Sequence, residues 1–229
     1  MIENEYAALL QHDTIKMRHP SKKDSVVTLY RIISTKSFKL TKFNKNVEKY
    51  DIGGYVESID NLDPTNPVWI DHSGRVFDDA KILNGSYIRN VALIYENANV
   101  DSSEVSDHCR VHGNSIVENS TLSSMAECKD NSVIKNNSKI KNSSKIYGDA
   151  VIDNSTFKVA ATALGKCIVK DSSISDICLI DGDAEISNCH YNGRVIRKTG
   201  IHRNETLTSE VKLEIHEEVD ESTHKEYQI

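Results

Sequence analysis

Aromatic residues make up only 6% of the 229-residue chain and hydrophobic residues 38%, so a conventional compact core is under-supplied. Mean hydropathy is −0.47. No apolar run approaches the roughly 20 residues that span a bilayer. The first thirteen residues, MIENEYAALLQHD, lack a basic segment followed by an apolar one and do not read as a secretory signal. The five cysteines are odd in number and lack CxxC spacing, which points to reduced thiols and not to a disulfide framework. A net charge of −6 argues against a general nucleic-acid binder, which would carry a basic face. The expectation is a cytoplasmic protein, neither membrane-bound nor metal-stapled.

What the chain does have is a repeat. Ile70, Val76, Ile82, Ile88, Ile94 and Val100 fall every six residues. After a slip, Val105, Val111 and Val117 continue the step, and after another come Leu122, Cys128, Ile134, Ile140, Ile146 and Ile152. A third break precedes Ile168, Ile174, Ile180 and Ile186. Four residues after most of these stands a small side chain, as at Gly74, Ala80, Ser86, Ala92 and Ala98. Glu104 and His190 are exceptions. A 3.6-residue helix cannot hold a six-residue repeat on one face, and a simple strand alternates with period two. The pattern describes a short extended rung with an aliphatic pointing in, a tight corner, and a small residue where walls converge. Asn84-Gly85, Asn136-Asn137 and Gly148-Asp149 suit the positive φ of sharp corners.

These hexads resemble the left-handed parallel β-helix, with three hexads per coil. The resemblance implies an all-β prism of about seven coils over residues 69–191. A cap over residues 1–68 precedes it, with a short helix at 2–11, a strand at 25–34 (SVVTLYRIIS) and a Gly53-Gly54 turn. A β extension with an acidic tail occupies 192–229, including a capping strand at 206–217. The block carrying Leu29, Tyr30, Ile32, Ile33, Phe38, Gly53, Gly54, Tyr55, Val56, Asn61, Leu62, Trp69 and Ile70 is similar to the YdcK-type family of bacterial and phage β-helix proteins. That family brings no catalytic residues to carry over.

The resemblance also implies that such prisms are mostly homotrimers, with Tyr87, Tyr95, Tyr147 and Val151 as outward residues to test for subunit contact. Hexapeptide-repeat acyltransferases take an acyl-coenzyme A thioester between prisms and use a His as base. His108 and His112 are the candidates for that role, and residues 157–165 (FKVAATALG) are the one apolar candidate for a lid. Asp107-His108 and Asp71-His72 are weak pairings, because adjacent strand residues point to opposite faces. Lys129, Lys135, Lys139, Lys141 and Lys145 fall within one coil and so ring the prism; with Tyr147, the last four form a candidate belt for an acidic partner or anion. Cys109, Cys128 and Cys178 read as small inward hydrophobes, with Cys167 and Cys189 off such slots. HCRVH on a strand does not converge on a metal. The expected function is a non-enzymatic binding or scaffold protein without a cofactor. The phage side of the resemblance implies inhibition of a host protein or sequestration of a ligand between subunits. An acyltransferase and a structural component of a larger assembly are the alternatives.

Overall fold

The computed structural model describes residues 2–208. Its described residues form a parallel β-solenoid with three walls and no α-helix, only two short 3-10 turns. Wall 1 holds nine parallel strands, from Ile52–Val56 to Ile196–Arg197. Wall 2 holds eight, from Lys81–Leu83 to Ile201–Arg203, and wall 3 nine, from Trp69–Ile70 to Thr206–Thr208. The stack is therefore about nine coils, not seven, and it passes the expected 69–191 at both ends.

Gly53 and Gly54 disguise the lower end. They lie inside strand Ile52–Val56, which pairs with Arg75–Val76, and do not make a turn. A Cβ at Gly54 would stand 2.5 Å from the Gly74 carbonyl oxygen and 2.5 Å from Ile70 Cγ2, so the glycine is there for close approach. At the upper end, the first residues of the expected capping strand, Thr206–Thr208, pair in parallel with His190–Asn192 as one more rung. The rest of that strand and the acidic tail lie outside the described residues.

The slips in the repeat have one physical origin. On wall 1 the coil step is eighteen residues from Val76 to Ile94 and seventeen from Ile94 to Val111. The missing residue is lost at the corner between walls 2 and 3. Where the passage takes six residues (Ile82 to Ile88, Ile134 to Ile140), two consecutive residues are left-handed: Asn84-Gly85 and Asn136-Asn137. Where it takes five, a single left-handed residue suffices: Ser102, Asn119, Asn154, Asp171 or Asn188. Asn and Asp tolerate this conformation better than other side chains with a Cβ.

Keeping strict sixes after Ile152 misplaces the third break. Phe157, Ala163 and Val169 are the inward residues and fully buried, whereas Ile168 points outward. The segment 157–165 is thus two ordinary rungs, Thr156–Val159 and Thr162–Ala163, and not a lid. All five cysteines are buried, Cys167 and Cys189 included. Cys189 occupies the small slot, Tyr191 the following inward slot, and His190 is exposed between them.

The small slot before wall 3 is a serine column. Ser86 Oγ accepts the Ser103 N–H at 3.1 Å, and Ser103 Oγ that of Ser120 at 2.9 Å. Beyond the six-residue passage, Ser138, Ser155 and Ser172 take the N–H groups of Ser155, Ser172 and Cys189 at 3.0–3.1 Å. On the wall 1–wall 2 corner an amide ladder runs Asn97, Asn114, Asn131, Asp149, with each step at 2.8–2.9 Å. These columns pair polar corner groups without widening the aliphatic core, whereas Ser132 Oγ and Ser144 Oγ stay buried without a partner.

The cap is a pair of hairpins, not a helix. β1 (Ala7–Arg18) pairs antiparallel with β2 (Val26–Ser34), and β2 with the first strand of wall 1. Tyr6, Leu9 and Leu10 fall at helical spacing, but antiparallel pairing with β2 decides the conformation. The hairpin folds over the outside of wall 1, where Val27, Leu29, Tyr55, Phe77 and Tyr95 make a second apolar cluster. β3 (Phe38–Leu40) and β4 (Lys45–Val47) form the other hairpin. Phe38 meets Trp69 edge-on at 6.1 Å and Phe43 lies 6.0 Å from Tyr87 on wall 3. Tyr87 and Tyr95, two of the outward residues expected at a subunit contact, are thus covered by the chain's own cap.

Asp63 fastens the cap to the first coil. Its carboxylate accepts five hydrogen bonds: the backbone N–H of Thr65, Asn66 and Asn84, the Thr65 hydroxyl and the Asn66 amide, at 2.9–3.1 Å. Burial alone would raise this carboxyl, but those donors outweigh it and hold it at about 2.

Candidate functional site

His112 follows the inward Val111 on wall 1 and so faces outward. The coil repeat stacks it on Tyr95 at 4.7 Å and 5°, and Tyr95 on Phe77 at 5.1 Å and 3°. His19, at the cap hairpin's tip, meets Phe77 and Tyr95 edge-on at 5.5 and 5.7 Å. The neighbouring coils then place carboxylates at both ring nitrogens of His112: Glu96 Oε2 3.5 Å from Nδ1 and Glu127 Oε1 3.4 Å from Nε2. Glu127 also accepts from the Tyr147 hydroxyl. Burial raises the Glu127 carboxyl, yet Tyr147 and His112 outweigh it and leave it below the usual carboxylate range. Burial and the Glu127 bond push Tyr147 up.

A general base must offer a free nitrogen lone pair to its substrate. His112 instead has a carboxylate near each ring nitrogen and one ring face against Tyr95. His108 is exposed at the corner between walls 3 and 1. Its sequence neighbour Asp107 accepts instead from the Ser124 N–H at 3.0 Å and the Asn90 amide at 2.6 Å. The two histidines therefore lie at opposite ends of strand Arg110–Val111 and do not share a site. His19 and Asp78, joined at 2.7 Å, are not legible as partners in the sequence, because 59 positions separate them and only the folded-back hairpin unites them.

The cleft beside this hairpin tip is lined by Lys22, Glu57, Asp78, Asp79, Glu96 and Asn114. Three of its four carboxylates are engaged within the fold. Asp78 takes His19, Lys22 (2.6 Å) and the Glu96 N–H, Glu57 takes the Asp78 N–H, and Glu96 takes Ser21 and the Gly113 N–H. Among the described residues no group of three or more His, Cys, Asp or Glu side chains is placed to hold a metal ion. No helix among them is long and apolar enough to cross a membrane.

The lysine belt divides among the walls. Lys135 lies on wall 2, 3.7 Å from Asp153. Lys145 and Tyr147 lie on wall 1, where Lys145 stands level with Glu127. Lys139 and Lys141 lie together on wall 3, both exposed. The pairing of Ile140 with Phe157 sets exposed Lys158 one rung above Lys141. Lys158 escapes the sequence reading because it falls in the segment expected to be a lid; the signal is its seventeen-residue separation from Lys141. Thr121, Ser123, Thr156 and Ser173 surround the three lysines on the rungs below, beside and above. Among the described residues no carboxylate pairs with Lys139, Lys141 or Lys158 within salt-bridge distance. Like charges on adjacent rungs are destabilising; on wall 2 the sign alternates from Glu118 through Lys135 and Asp153 to Lys170, although Asp101 lies beside Glu118.

No family model and no curated protein matches this chain. The parallel β-solenoid rests on the register of its own strands, and the lysine trio on the geometry of wall 3.

Proposed function

We propose that the protein is a non-enzymatic binding scaffold that docks an acidic protein partner on wall 3. The observation that supports this is the trio Lys139, Lys141 and Lys158. It stands on a flat, hydroxyl-rich wall beyond the reach of the cap aromatics. Three like charges held on neighbouring rungs are relieved by an external anion. A flat wall does not enclose a small ligand, which favours a macromolecular partner. In the version drawn from the YdcK-type resemblance, a phage-encoded inhibitor would use this wall to cover an acidic patch on a host protein.

The test uses fluorescent poly-L-glutamate as the acidic probe, with anisotropy followed against salt. Binding that weakens as salt rises is expected for the native chain. The triple variant Lys139→Glu, Lys141→Glu, Lys158→Glu should lose at least about tenfold in affinity, while Lys135→Glu on wall 2 changes little. Equal effects of both variants would argue for diffuse charge and against a site. For the acyltransferase reading, acetyl-coenzyme A should leave the melting temperature unchanged; a rise abolished by His112→Ala would replace the scaffold reading with it.

A further inference from the structure

Wall 2 carries a second outward pattern, distinct from the lysine trio. Ile116, Val133, Val151 and Ile168 succeed one another on consecutive rungs, each paired with the next. Ile116 is 40% exposed and the other three are half-buried. None of them joins either apolar cluster of the protein. Two residues further along the same rungs runs a column of alternating charge: Glu118, Lys135, Asp153, Lys170. The cap's hairpins make their aromatic and aliphatic contacts on walls 1 and 3, and the cap meets wall 2 at its lowest rung, where Leu62 bridges Ile82 and Lys81 Nζ donates to the Asp60 carbonyl oxygen.

We propose that wall 2 is the face through which two copies of this chain associate, with their prisms antiparallel about a two-fold axis lying along the strand direction. Such an axis between the Lys135 and Asp153 rungs keeps each column opposite itself and reverses the order of rungs. The aliphatic column then meets the aliphatic column, Ile116 against Ile168 of the second copy and Val133 against Val151. In the charged column Glu118 meets Lys170 and Lys135 meets Asp153, so every facing pair is opposite in sign. The next rungs outward set Asn99 against Glu185 and Asp101 against Ser187, which adds no like-charge contact. A two-fold parallel to the prism sets each rung against the same rung of its copy, so its charges can meet only like charges. Charge complementarity therefore selects both the occupant and the direction of packing.

The area is sufficient. Eight rungs at about 4.8 Å and about five residues of width at about 3.3 Å each give about 600 Å² per copy. The total of about 1,200 Å² sits at the lower end of stable interfaces. The contact leaves wall 3 of each copy open, so it stands or falls independently of the acidic-partner reading.

Sedimentation velocity of the full chain from about 1 to about 100 µM tests it. A dimer is expected. Val151→Asp, which puts a charge near the axis, should give a monomer with unchanged circular dichroism and a melting temperature that no longer varies with protein concentration. Glu118→Lys, at an exposed position, should weaken the dimer at least about tenfold by creating two like-charge contacts. Adding Lys170→Glu should restore it, because only the antiparallel two-fold brings positions 118 and 170 together across the interface. A monomer at every concentration, a trimer, or a double variant no tighter than Glu118→Lys alone overturns the proposal.

Discussion

Replacing Asp63 by Asn removes the charge on which the cap's first turn converges. Asn keeps one carbonyl acceptor but puts an amide nitrogen in place of the other oxygen, where it faces the N–H of Asn84 and the side-chain amide of Asn66. The native carboxyl is held at about 2 in the fold, against an ordinary 3.8. At about 1.36 kcal/mol per pKa unit the difference corresponds to about 2 kcal/mol of stability. Because the folded value is the lower one, that stability is fully present above about pH 5 and is lost as pH falls towards 2. At pH 3 the wild type should have lost about 1 kcal/mol of it. The variant has no such group. The stability gap between wild type and Asp63→Asn should therefore be about 2 kcal/mol at pH 7 and narrow to about 1 kcal/mol at pH 3. Urea unfolding followed by circular dichroism at the two pH values measures it. A gap that is the same at both would show that the carboxylate's charge is not what fastens the turn.

Val159 holds a left-handed conformation (φ 68°) although it is β-branched and 46% exposed. Val159→Asn should thus stabilise the protein by about 1 kcal/mol, read as a rise of about 3 °C in melting temperature; no rise would mean the backbone is unstrained. Ser138→Ala leaves the buried N–H of Ser155 without its acceptor and should cost about 2 kcal/mol in urea unfolding, whereas a cost under about 0.5 kcal/mol would show the serine column to be incidental. Burial pushes the Cys109 and Cys167 thiols up to about 12 and raises Cys128 and Cys178 as well. Since the thiolate is the reactive form, native protein at pH 8 should show no fast thiol towards a disulfide reagent and all five cysteines after denaturation; a fast native thiol would contradict the packing.

The solenoid is legible in the sequence because an inward aliphatic is required on every rung and little else competes for the position. Its breaks are harder to read. A lost residue at one corner leaves no mark beyond a shift in the phase of the later rungs, and after Ile152 an outward Ile168 beside the inward Val169 imitates an unbroken step. Gly53-Gly54 looks like a turn because the carbonyl and methyl groups crowding the pair come mostly from residues 70 to 74. The helix expected at 2–11 fails for a related reason: its periodicity is local, and the pairing of Ala7 with Ser34 that overrides it is not. The histidines stand out in the sequence, but not the stack that engages His112, which is built from three successive coils and the cap. The lysines do ring the prism as their spacing implies, yet the pair that shares a wall gains its third member only from strand register.

Five- and six-residue passages through the corner between walls 2 and 3 both deliver the chain to wall 3 with the same face inward. Inside a strand, gaining or losing one residue would turn every later side chain inside out. At this corner the change is absorbed by adding or removing one left-handed residue, and the frame is restored before the next rung. Single-codon insertions and deletions should therefore be tolerated at positions 84–85, 102, 119, 136–137 and 154 and nowhere near the intervening strands. By the same rule a complete coil can be duplicated or excised without disturbing its neighbours, so the reach of the prism is heritable in increments of about 4.8 Å.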